Sequence, residues 1–299
     1  MKTIEHLHDL NDYHADVLRL DLLHPQYGGN KVFKLKYNLQ KANGLPVLTF
    51  GGAHSNHIFA TAAYCSEHNI PCIGVIRGEA EMLQQSPTLV FAAEKGMHLH
   101  FISREKYRGK SDEDFTDELH RQFGNFYLIP EGGNNTEGIR GCTEILEGVP
   151  FYDVVLCACG TACTYTGILA SALPRQIVVG ISVLKGENTL LREVNKHAGD
   201  FTFAPIETFN GGEINASTII NDYHFGGYAR HTKELLDFKK QFENTYHIPL
   251  DYVYTAKLFY AAFDLMKKGA FKPGSRLLIV HSGGQQGNAG YEQRYQIIT

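Results

Sequence analysis

Short apolar runs alternate with helical patterns through almost the whole chain, and no other feature constrains its fold as much. "PVLTF", "CIGVIRG", "HLHFI", "FYLIP", "DVVLCACG", "QIVVGISV" and "RLLIVHSGG" read as strands. About ten to twenty residues separate them, which is the signature of βαβ units on parallel sheets. "DVVLCA" and "RLLIV" are apolar at every position rather than at alternate ones, as strands are when helices cover both faces. The expected architecture is therefore α/β, with open, mostly parallel twisted sheets flanked by helices and function beyond the C-terminal strand ends. Four strand-helix units between about Lys34 and Gly141 suggest a small α/β domain over 34–141. It would be enclosed by a larger domain built from 1–33 and 142–299.

The bulk properties narrow the function. At 299 residues, 43% hydrophobic and 20% charged, the chain is long enough to bury a sizeable core. Its start, "MKTIEHLHDLNDY", has no apolar stretch of signal length, and no window approaches the ~20 apolar residues of a membrane span. A cytoplasmic protein without membrane contact is expected. A net charge of -4 and a pI near 6.4 argue against a nucleic-acid partner, which calls for clustered Lys and Arg. Six cysteines in apolar runs of a chain without a leader read as reduced thiols. Cys157, Cys159 and Cys163 lack zinc-site spacing, and His54 and His57 lack a completing H-E-x-x-H or carboxylate. No metal is expected.

Several strand ends carry glycine-rich turns. In "LTFGGAHSNHIFATAAY", Gly51 and Gly52 allow a tight turn, and Ser55 or Asn56 can cap the helix that follows. Such a helix end leaves outward N–H groups that attract anions. Viewed alone, it reads first as an ordinary βα turn with a polar cap. "CACGTACT" and "VHSGGQQGN" also follow strands, so all three turns can open on one cleft. Gly160 through Thr164 looks like a phosphate cradle, although it has neither the P-loop lysine nor the G-x-G-x-x-G of a nicotinamide site. Lys31 follows Gly28, Gly29 and Asn30 where a helix should begin, and the positive helix end there lowers its preference for charge. That suits condensation with a carbonyl. Taken alone, Lys31 also reads as a solvated lysine in a basic turn with Lys34 and Lys36.

"GGNKVFKLKY", "GGAHSNH", "CGTACTYTG", "DYVYTAK" and "HSGGQQG", in this order and at these separations, resemble the 1-aminocyclopropane-1-carboxylate deaminase and D-cysteine desulfhydrase family. These enzymes depend on pyridoxal 5'-phosphate (PLP) and share the tryptophan-synthase-β-like fold (fold type II). The resemblance covers nearly the whole chain. It implies PLP in the cleft between the domains, carried on Lys31, with Asn56 on its 3'-oxygen and its phosphate on Gly160, Thr161, Ala162, Cys163 and Thr164. Thr255 and Ser282 would complete the cofactor contacts. Backbone N–H groups of Ser55, Asn56 and His57 would bind the substrate carboxylate, while the Ser55, Tyr228 and Tyr254 side chains face the substrate. The resemblance also implies a homodimer acting on a small amino acid.

Three departures from the family pattern matter. Ala162 and Cys163 stand in a loop that usually reads G-[ST]-G-[GT]-T, and side chains there restrict positive φ and close phosphate approach. His54 stands where the deaminases commonly have Gln. Thr255 stands where the deaminase branch has a glutamate facing the pyridine nitrogen, and a hydroxyl cannot stabilise a pyridinium as a carboxylate does. Elimination from D-cysteine or a related substrate, giving pyruvate and ammonia, is therefore expected ahead of cyclopropane ring opening to 2-oxobutanoate. A catalytically weak PLP- or ligand-binding protein is the reading from another class.

Overall fold

The computed structural model describes residues 2–8, 10, 12–186 and 189–297. Its strands are β1 Thr3–Leu7, β2 His14–Arg19, β3 Val47–Gly52, β4 Cys72–Arg77, β5 His98–Ile102, β6 Tyr127–Ile129, β7 Val154–Cys159, β8 Ile177–Ser182, β9 Thr218–Ile220 and β10 Arg276–His281. They form a four-stranded sheet in the order β5-β4-β3-β6 and a six-stranded sheet in the order β1-β2-β10-β7-β8-β9. Every pairing is parallel except β1 against β2. The smaller sheet comes from residues 47–129, and the larger takes strands from both sides of that stretch.

Continuous apolarity has the expected consequence in β7, where all six residues are buried. Alternate residues serve opposite faces. Leu156 and Ala158 join Leu258 and Phe259 of the helix Thr255–Lys267 in one cluster, while Val155 and Cys157 join Ile168 and Leu169 of the helix Cys163–Ser171 in another. Burying such a side chain is worth roughly 1.5–3 kcal/mol, so a charge at Leu156 would break this layer. All six cysteines are buried and free.

The sequence reading did not find β1, β2 and β9. β9 is three residues long; "TIEHL" mixes charged and apolar residues because β1 lies at the sheet edge with only Leu7 buried, whereas "HADVLR" lies inside the sheet between β1 and β10 and carries a buried Arg19 paired with Glu5 and Asp21. Among the described residues, no helix is long and apolar enough to cross a membrane.

Candidate active site

The C-terminal ends of β3, β4, β7 and β10 converge on a cavity of about 770 Å³, lined among others by Lys31, Asn56, Arg77, Gly160, Tyr254 and Ser282. Close backbone approach explains the glycines at its edge. A Cβ on Gly51 would lie 2.4 Å from Ile58 and 2.7 Å from the Ser55 hydroxyl. Gly29 has φ +105°, and a Cβ there would lie 2.2 Å from the Ser282 carbonyl oxygen. The turn before Lys31 is thus pressed against the turn after β10. The Asn30 amide N–H reinforces this by donating to the same carbonyl at 3.2 Å.

Lys31 lies in the first turn of the helix Asn30–Ala42, with its side chain in the cavity. Nζ donates to Asn30 Oδ1 at 2.8 Å, and Asn30 Nδ2 donates to Thr164 Oγ1 at 2.8 Å, so one buried amide couples the lysine to the loop after β7. Burial, with the Lys34 charge as second cause, lowers the Lys31 amine to about 7. The direction agrees with the sequence expectation. The cause is chiefly desolvation rather than the helix end.

The loop after β7 leads into the helix Cys163–Ser171. As in any helix start, its first N–H groups have no partner within the helix, and among the described residues the backbone hydrogen bonds beyond regular elements include none from Thr161, Ala162, Cys163 or Thr164. Ala162 occupies the left-handed region at φ +63°, the conformation its side chain disfavours. Cys163 turns away from the cavity, and its thiol donates to the Gly133 carbonyl at 3.3 Å. Lys34, only 4% exposed, donates to the Gly132 carbonyl at 3.1 Å and has no carboxylate partner among the described residues; Gly132 in turn abuts Thr161. Unpaired N–H groups beside a buried lysine without a counter-ion suit a phosphate. With the Lys31 amine lowered to about 7 nearby, these donors fit PLP.

The turn after β3 differs from expectation in one respect. Ser55 caps the helix Asn56–Glu67 by accepting from Ile58 N–H, but its own N–H donates to the Gly52 carbonyl at 3.1 Å to close the turn. Two backbone donors, on Asn56 and His57, therefore remain for a carboxylate rather than three. The Asn56 amide lies against Gly284 and Gly287 on the cavity wall and, among the described residues, makes no side-chain hydrogen bond. His57 is buried. The Thr49 hydroxyl donates to the Ile129 carbonyl, so it accepts from His57 Nε2 at 2.9 Å and leaves Nδ1 as an unpaired acceptor. Burial, Lys31 and Lys34 hold this imidazole well below its usual range, hence neutral.

In the same cavity as Lys31, the Tyr254 hydroxyl donates to the Tyr228 hydroxyl at 3.4 Å. Burial pushes both phenols up, Tyr254 the further. Tyr228 is 47% exposed through the cavity it lines. Its loop is held by Lys257, whose Nζ donates to the carbonyls of His224 and Gly227 at 2.8 and 2.7 Å. Thr255 is fully buried behind the wall. Its hydroxyl donates to Asp251 Oδ2 at 2.7 Å and accepts from Asp251 N–H at 2.7 Å. The group on the wall at this point is the Asp251 carboxylate.

The structure thus brings Lys31, Ser55, Asn56, His57, Gly160, Thr161, Ala162, Thr164, Tyr228, Tyr254 and Ser282 to one cavity, with Cys163 and Thr255 directly behind it. Sequence reasoning passed over Asn30, Lys34 and Asp251 as site residues. Asp251 had a legible signal, an acidic residue just ahead of a helix. Asn30 and Lys34 had none beyond their place in the Lys31 turn. Among the described residues, no group of three or more His, Cys, Asp or Glu side chains could hold a metal ion.

A family profile described as pyridoxal-phosphate dependent enzyme matches residues 5–283. The bifunctional D-cysteine desulfhydrase/1-aminocyclopropane-1-carboxylate deaminase of Arabidopsis thaliana, a mitochondrial protein, is 28% identical over 91% of this chain and 72% of its own. The D-cysteine desulfhydrase of Klebsiella pneumoniae is 24% identical over 86% of this chain and 82% of its own. A crystal structure described as an ACC deaminase homologue superposes with a TM-score of 0.81 at 26% identity, covering 99% of this chain and 93% of that one.

Proposed function

The chain belongs to the pyridoxal-phosphate-dependent enzyme family, and from that premise we propose that it is a lyase removing the β-substituent and amine of a small D-amino acid. D-Cysteine or a close relative would give pyruvate and ammonia. When bound, PLP supplies an electron sink for negative charge developing at the substrate Cα. The observation that carries the proposal is Lys31, a buried amine lowered to about 7 that shares one cavity with a tyrosine pair.

Each protein group has a role that follows from its surroundings. Lys31, uncharged in a large fraction at neutral pH, can bond to the cofactor carbonyl and, once displaced, take the Cα proton. Asn30 holds that amine against the loop after β7. Thr161 to Thr164 with Lys34 would hold the phosphate, and the Asn56 amide would meet the ring oxygen. The Asn56 and His57 N–H groups at a helix start would hold the substrate carboxylate. Tyr254, kept protonated by burial and paired with Tyr228, can deliver a proton to a departing group. A cytoplasmic homodimer, with the small domain spanning 34–141, belongs to the same proposal.

Asp251 favours a second reading. Ring opening of 1-aminocyclopropane-1-carboxylate lacks an α-proton and needs a stronger sink, and Asp251 puts a carboxylate 2.7 Å from the Thr255 hydroxyl. Product analysis separates the two: purified holoenzyme given D-cysteine and the cyclopropane substrate at matched concentrations, with saturating PLP, should release pyruvate and little 2-oxobutanoate. Efficient 2-oxobutanoate release without pyruvate would replace the first reading with the second.

A further inference from the structure

The cavity carries more positive charge than the proposed reaction uses. In a chain of net charge -4, eight lysines and arginines but only two carboxylates line it. Lys31 and Lys34 are accounted for. At the mouth, Lys110 pairs with Glu131 at 3.4 Å, whereas Arg77, Arg104 and Arg108 make no ion pair or hydrogen bond among the described residues.

Arg77 is the best placed of these. It ends β4, beside the turn that would hold the substrate carboxylate, and a Cβ on Gly52 would lie 3.4 Å from its Nη2. Its guanidinium stands 5.5 Å from the centre of the Tyr107 ring, which fixes it without neutralising it. Tyr107 is 3% exposed and lines the same cavity; its hydroxyl makes no hydrogen bond of normal geometry among the described residues and lies beside the Glu131 carboxylate, which Lys110 pairs. Arg77 and, more strongly, Glu131 act electrostatically on the Tyr228 hydroxyl in opposite directions. An unpaired guanidinium and an unsatisfied buried phenol on one wall are incomplete until an anion with acceptor oxygens arrives.

Resting on the lyase reading above, we infer that Arg77 and Tyr107, backed by Arg104 and Arg108, form a subsite for an anionic β-substituent, making the substrate class β-substituted D-amino acids with a phosphate or sulfonate on the side chain. The chemistry suits elimination. The Cα proton is removed and the Cβ–X bond breaks with its electron pair leaving on X. Water then replaces the amine, so that O-phospho-D-serine and water give pyruvate, ammonia and phosphate. Charge gathers on X as the bond breaks, and preorganised guanidinium groups stabilise it there.

Binding tests the subsite without requiring turnover. Calorimetry on the holoenzyme would compare D-2-amino-3-phosphonopropanoate with D-norvaline, and the phosphonate should bind at least ten-fold tighter. Arg77→Gln should cut that preference at least ten-fold, Arg77→Lys should keep part of it, and added salt should weaken it. Equal affinities in the wild type, or a preference undiminished by Arg77→Gln, would overturn the subsite. Pyruvate assays with O-phospho-D-serine, S-sulfo-D-cysteine and D-cysteine run alongside. No keto acid from any of them, with the phosphonate preference intact, would contradict the elimination reading and support the subsite.

Discussion

The Thr255 hydroxyl donates to Asp251 Oδ2 at 2.7 Å, and the same carboxylate accepts the backbone N–H groups of Val253, Tyr254 and Thr255 at 2.8 Å each. One buried aspartate therefore starts the helix that carries Tyr254 and Thr255 and also meets the cavity. Tyr254 is the N-cap residue, and Asp251 ahead of it accepts the N–H groups at the helix start as a capping side chain does; losing such a cap costs about 0.5–2 kcal/mol, and stranding buried donors costs more. Asp251→Ala should lower unfolding stability in urea by about 2–3 kcal/mol, and Asp251→Asn by less. Thr255→Glu should not strengthen the electron sink. The site is fully buried and already faces a carboxylate, so the expected readout is a marked loss of thermal stability.

Lys31 gives the apoprotein a pH signature. Its amine is lowered from 10.5 to about 7 by burial, so between these values the unfolded chain binds more protons than the folded one and stability rises with pH. The penalty is fully present below about 7 and vanishes above the unfolded value. Apo Lys31→Met should be more stable than apo wild type by a few kcal/mol, on the order of the shift, at pH 6. Urea titrations should show that gap closing towards pH 10.5.

The phosphate loop separates strain from function. Ala162 sits at φ +63°, which costs a non-glycine residue roughly 1 kcal/mol, so Ala162→Gly should stabilise the protein by about 0.5–1 kcal/mol without loss of PLP affinity. Thr164→Val removes the acceptor of the Asn30 amide and a hydroxyl from the loop. Equilibrium dialysis should show PLP retention weakened about ten-fold in that variant, with substrate preference little changed.

Tyr254→Phe removes the hydroxyl that donates to Tyr228. Lost proton transfer typically costs a factor of 10²–10⁴. Turnover should fall about 100-fold or more while the absorbance of the bound cofactor is preserved, as stopped assays and spectra of one preparation would show.

The larger part of the fold was legible because the parallel strands are buried on both faces. "DVVLCAC" had no other plausible home than a covered sheet. β1 and β9 were not legible, since an edge strand and a three-residue strand leave no apolar run. In the site, glycine turns mark where backbones approach closely, so Gly29, Gly51 and the loop after β7 announced themselves. Partners that meet only through tertiary folding did not. Arg77 and Tyr107 are 30 residues apart, Asn30 and Thr164 are 134 apart, and nothing local links either pair. Ser55 shows the opposite error: its cap was readable, but the commitment of its N–H to Gly52 depends on how the turn closes.

The central claim is that Lys31 is the residue that carries the cofactor, with Lys34 one helical turn away as the only comparably placed amine on the same helix face. Borohydride reduction of the PLP-loaded protein followed by peptide mapping tests it directly. A pyridoxyl group on Lys31, absent in Lys31→Ala and retained in Lys34→Ala, is the predicted result. The same group on Lys34 of the wild type, or no labelled lysine in a preparation that shows the cofactor's absorbance, would contradict it.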